Sequence, residues 1–115
     1  MEKVIKIDGK EIKFKATGAT PLRYRMEFGR DYFSDIINIT NAMKELSEGK
    51  VESADLSLFT DIIYILAKGA DKDINSILDW YDEFDSFPVF EIFADLQELL
   101  ISNMQTTVGN KNKKK

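Results

Sequence analysis

A chain of 115 residues is the size of one domain and too short to fill two independent hydrophobic cores. With 43% apolar and 31% charged residues it has the composition of a globular protein, and its net charge of −4 argues against a general nucleic-acid binder, which needs a broad basic surface. Cysteine and histidine are both absent, which removes disulfides, thiolate metal sites, the commonest general base and the usual partner of a nucleophilic serine.

The first elements read as a β-hairpin over residues 3–15. KVIKI and KEIKFK are separated by Asp8-Gly9, the dipeptide best suited to a tight two-residue turn. That turn places Ile7 opposite Lys10, Ile5 opposite Ile12 and Lys3 opposite Phe14, so Ile5, Ile7, Ile12 and Phe14 share one face. A lone hairpin is marginal in water, so this face must lie on the helices or on another chain. Before this hairpin there is no apolar run of a signal peptide, and no segment approaches the length of a membrane span, so a cytoplasmic protein without membrane contact is expected.

Helices follow from residue 21 to residue 105. Thr20-Pro21 opens the first, as a hydroxyl cap followed by proline, and Gly29 either ends or bends it. The second runs from about Asp31 to Leu46. The third, from near Ser53 to Gly69, carries Leu56, Leu58, Phe59, Ile62, Ile63, Ile65 and Leu66 round more than half its circumference and is expected at the centre of the core. DINSILDWYDEFD predicts a short fourth helix with Ile74, Ile77, Leu78, Tyr81 and Phe84 on one side. A fifth begins with Ser86 as cap and buries Val89, Ile92, Phe93, Leu96, Leu99 and Leu100. The pattern stops at Thr106, and 106–115 reads as a mobile lysine-rich tail. The expected fold is α+β and mostly α: an N-terminal hairpin and about five helices packed as a single domain over residues 1–105.

All three arginines fall in PLRYRMEFGRDYF, among Tyr24, Phe28, Tyr32 and Phe33. On a helical wheel Arg23, Glu27 and Arg30 form an exposed edge of weak ion pairs. Arg25 falls between Leu22 and Phe28, where it needs a carboxylate or an aromatic face, either inside the fold or on a partner. Tyr24 and Phe28 lie away from Leu22 and Met26, which assigns them to a partner-binding face together with Arg25 and Arg30. Phe90, Ala94 and Ile101 form a second apolar line on the fifth helix, read either as tucked under the hairpin or as a self-association surface. The acidic cluster Asp79, Asp82, Glu83 and Asp85 lacks calcium-loop spacing and reads as a solvated face. Trp80 reads as a core residue or a partner anchor. There is no glycine-rich phosphate loop and no nucleophile elbow, so neither enzymatic activity nor a metal or cofactor is expected.

KIDGKEIKFKATGATPLRYRMEFGRDYFSDI, with the later YILAK and ILDWYDEFD, resembles the tail assembly chaperones of long-tailed phages and prophages of Gram-positive bacteria. The resemblance spans roughly residues 3 to 100 and rests on ordinary residue types, not on a catalytic signature. It implies a non-enzymatic protein that coats the tape measure protein and promotes polymerisation of the tail tube, made of the major tail protein, around it. It further implies action in the host cytoplasm, absence from the mature virion, and a longer frameshifted form of which this chain would be the short version; homo-oligomerisation is expected from the Phe90, Ala94 and Ile101 line and from the hairpin's need for cover. The rival reading is a small structural or head–tail completion protein retained in the particle.

Overall fold

The computed structural model describes residues 1–49 and 56–103. Strands β1 (Glu2–Ile7) and β2 (Lys10–Lys15) pair antiparallel with Ile7 opposite Lys10, Ile5 opposite Ile12 and Lys3 opposite Phe14. Asp8 and Gly9 both have positive φ, at 53° and 78°, the geometry that matches the twist of a two-residue hairpin. Ile7 and Phe14 are buried, and Ile5 and Ile12 pack against the same core. Helices cover this face, chiefly α3 (Ser57–Ala70). Helix and hairpin meet closely at Gly69, where a Cβ would stand 2.7 Å from the Lys15 carbonyl oxygen.

Helix α1 (Thr20–Phe28) starts one residue earlier than the capping pattern suggests. The Thr20 hydroxyl faces backward and accepts from the Thr17 amide at 2.8 Å, so it closes the preceding loop and does not cap the helix. Gly29 ends α1 in the left-handed region at φ 72°, its amide donating to the Arg25 carbonyl. Helix α2 (Tyr32–Ser47) follows directly. Its cap is Asp31, whose carboxylate accepts from the Ser34 amide at 2.8 Å, and that bond holds the Asp31 carboxyl below its ordinary range.

Helix α3 is the axis of the core, with Phe59 and the unbroken run Ile62 to Ala67 buried. Its expected start at Ser53 lies outside the described residues. Leu56 is half exposed and Leu58 only partly buried, so the all-round apolar character begins at Phe59. Helix α4 is confined to Ile77–Asp82. The residues before it are drawn into a turn in which the Asp73 amide donates to Asp71 and the Asn75 carbonyl accepts from the Tyr64 hydroxyl. Trp80 takes the inner side of α4, ringed edge-on by Tyr64, Tyr81, Phe84 and Phe87, while Leu78, expected inside, is 71% exposed. The indole therefore packs in the core.

Helix α5 (Val89–Asp95) starts after Pro88, without the Ser86 cap the sequence suggests. The chain loosens at Leu96 and is helical again over 97–103, here α6. Ile92, Phe93, Leu96, Leu99 and Leu100 are buried as expected. Asn103 ties this end to the loop after β2: its amide donates to the Thr17 carbonyl, and its side-chain oxygen accepts from the Tyr32 hydroxyl. The architecture is α+β and mostly α: among the described residues, one hairpin and six helices lie round a single core. The tail assigned to 106–115 lies outside the described residues.

Candidate partner-binding surface

The aromatic and arginine-rich stretch closes on itself through one side chain, Arg30. The turn at Gly29 directs Arg30 back across the start of α2. Its Nε donates to Asp35 Oδ2 at 2.8 Å, and its Nη2 donates to Asp61 Oδ2 at 2.5 Å and to the Tyr24 hydroxyl at 3.1 Å. Tyr24 in turn donates to Asp35 Oδ2 at 2.5 Å. The hydrogen bonds it donates to Asp35 and then Asp61 raise the Arg30 guanidinium above its ordinary pKa, and burial, followed by the bond to Asp35, raises the Tyr24 phenol. The guanidinium carbon also lies 5.5 Å from the Phe28 ring centroid and 5.7 Å from that of Tyr24. This cluster joins α1, α2 and α3. Among the described residues no buried side-chain nitrogen or oxygen lacks a partner.

That arrangement corrects the wheel-based assignments. The arginine paired inside the fold is Arg30, and Arg25 is exposed. Tyr24 is fully buried and Phe28 half-buried against it, so neither forms an open partner-binding face. Leu22 and Met26 point outward, 63% and 81% exposed. The Arg23–Glu27–Arg30 edge does not form, because Glu27 accepts from Lys68 on α3 at 2.8 Å. The physical reason is the stop at Gly29. It removes Arg30 from the α1 wheel, and the Tyr24–Asp35 bond then decides which of two similar apolar faces turns inward. The outward face, Ala19, Leu22 and Met26 edged by Arg23, Glu27 and Lys68, borders a shallow hollow of about 320 Å³.

The second candidate line lies at the surface. Phe90 and Ile101 are 45% and 47% exposed and Ala94 is exposed, so this line is not tucked under the hairpin. Phe90 rests edge-on against Phe59 of α3 at 5.3 Å between centroids. Beside it runs a groove of about 210 Å³ between α2 and α5–α6, lined by Ile36, Thr40, Phe93, Gln97, Leu100 and Ile101. The acidic residues Asp79, Asp82, Glu83 and Asp85 are all exposed. Near them a polar hollow of about 610 Å³ has walls of both signs, including Lys13, Asp71, Asp73 and Glu83. Among the described residues no three metal-ligating side chains come together, and no helix is long and apolar enough to cross a membrane.

The Arg30 cluster was not foreseen, although two sequence signals bear on it: a glycine stop immediately before an arginine, and Asp35 one helical turn into α2. No family model, curated protein or solved structure matches the chain.

Proposed function

We propose that this protein is a phage tail assembly chaperone that binds the tape measure protein and promotes tail-tube polymerisation around it, in the short form. The observation that carries the reading is a pair of exposed apolar surfaces, Leu22 with Met26 and Phe90 with Ile101, on a domain in which, among the described residues, every buried side-chain nitrogen and oxygen is partnered. Such surfaces suit repeated, weak contacts along an extended client. The resemblance over residues 3 to 100 supplies the identity of that client. The proposed setting is the host cytoplasm, with the major tail protein, further copies of the chain and a frameshifted longer form as additional partners.

Co-expression tests this reading. The tape measure protein should remain soluble and co-purify only when this chain is present, and mass spectrometry of purified virions should lack the chain. Failure to retain the tape measure protein would sink the proposal. Stoichiometric recovery in virions would favour a structural component.

A further inference from the structure

The outward face of α1 is apolar along its middle and basic along both edges. Leu22 and Met26 stand one turn apart, with Ala19 before them, on the side opposite the buried Tyr24. At roughly 100° per residue, Arg23 flanks this ridge on one side and Arg25 on the other. Arg23 also lines the hollow of about 320 Å³ beside the ridge, together with Lys68 from α3. Among the described residues the one carboxylate lining that hollow is Glu27, and it already accepts from Lys68 at 2.8 Å. Residues 16 to 30 contain no other aspartate or glutamate. Arg23 lies close enough to Lys68 for the two like charges to act on each other, so two cations share one carboxylate. Arg25 acts through space on Asp31, whose carboxylate is already held by the Ser34 amide. Among the described residues neither Arg23 nor Arg25 makes an ion pair.

From this arrangement we infer that the hollow beside α1 receives an amphipathic helix of a partner protein, its apolar stripe edged by aspartate or glutamate. An apolar side chain of that helix fills the space between α1 and Lys68, and a carboxylate one turn along meets Arg23. Charge decides against a second copy joined by a two-fold axis through the ridge. Arg23 and Arg25 would then face their own counterparts, and like charges placed together cost affinity. An anionic bilayer is also disfavoured, because the chain's net charge of −4 opposes it and the exposed ridge is one turn long. That the helix belongs to the tape measure protein rests on the chaperone reading. The chemistry the hollow selects does not.

The probe is a fluorescein-labelled peptide of about 18 residues, five helical turns, with a leucine stripe and glutamate edges. Its companion has lysine at every glutamate position. The net charge of the chain by itself favours the lysine peptide, so a preference for glutamate must come from groups beside the ridge. Anisotropy should show the glutamate peptide binding about fivefold tighter than its companion. Met26→Asp, with an unchanged far-UV spectrum, should abolish binding. Arg23→Glu combined with Arg25→Glu should reverse the preference, and Ile101→Asp should leave affinity and preference intact. Equal or tighter binding of the lysine peptide, or binding lost with Ile101→Asp and kept with Met26→Asp, would overturn the inference. So would sedimentation showing an oligomer that Met26→Asp alone dissociates, since a second copy then fills the hollow, or binding to phosphatidylglycerol vesicles and to neither peptide. The same variants separate the two readings against the tape measure protein. Capture that survives Met26→Asp, with neither peptide bound, refutes the hollow and leaves the chaperone. Peptide binding as described without tape measure capture refutes the chaperone and leaves the hollow.

Discussion

Replacing Arg30 by alanine removes the donor shared by Asp35 and Asp61, and the cost can be worked from their exposures. The Asp35 side chain is 8% exposed and that of Asp61 15%, while Arg30 itself is 40% exposed. A charge-assisted hydrogen bond to a buried carboxylate contributes about 1.5–3 kcal/mol. The second bond belongs to a guanidinium partly in water and adds about 0.5 kcal/mol. The full 3–5 kcal/mol of a broken buried pair, a rough figure for fully enclosed charges, is not reached, because the vacated space lets water approach Asp35. The expected loss is about 2–3 kcal/mol, or roughly 10 °C in melting temperature for a chain of this size. Urea denaturation followed by far-UV circular dichroism measures it, with Arg25→Ala as the exposed control, expected within about 0.5 kcal/mol of the parent. Arg30→Lys should fall between, since an ammonium keeps the charge and loses the planar fork that reaches three oxygens. If Arg30→Ala is neutral, or Arg25→Ala is the more damaging change, the cluster does not hold the three helices together.

Gly69→Ala should destabilise by about 1–3 kcal/mol, because the new methyl group meets the Lys15 backbone; the gain of about 1 kcal/mol usual for glycine in a helix would refute that close approach. Met26→Ser should leave stability within about 0.5 kcal/mol despite the apolar residue it removes, and thermal melts check this directly. Burial holds the Tyr24, Tyr32 and Tyr81 phenols above their ordinary value. The unfolded chain therefore sheds these protons first, and stability present below about pH 10 should fall as pH rises beyond it. Absorbance of phenolate near 295 nm, a generic tyrosine signal, should then appear together with loss of helical dichroism; phenolate formed while the helices persist would show the rings to be accessible.

The hairpin was legible because its signals agree: a dipeptide suited to left-handed angles, and an alternation in which a one-residue slip would expose Ile7 and Phe14. The core of α3 was legible for the same reason, since a run such as Ile62 to Ala67 has no polar side to misplace. Helix α1 was not. It is nine residues long with apolar groups on both sides, Leu22 and Met26 against Tyr24 and Phe28. Periodicity alone cannot choose between such faces. The choice was made by Asp35, eleven residues after Tyr24, and by Asp61 in another helix. The Phe90–Ala94–Ile101 line was visible as surplus apolar surface, but the adjoining groove needs Ile36 and Thr40 from α2, which no local pattern connects to it. Leu78 turns outward, against its expected place on the inner side, because α4 is too short for its wheel to be averaged.

The enclosure of Trp80 has a practical consequence. It is the chain's single tryptophan and is 3% exposed, enclosed by four aromatic rings. Its emission should be blue-shifted in the native protein and move to the red when the α3–α4 packing opens. None of those rings lines the groove between α2 and α5–α6, so intrinsic fluorescence should stay constant when that groove is filled and report only unfolding. The protein thus carries its own internal gauge of integrity, able to separate variants that lose a partner from variants that lose the fold.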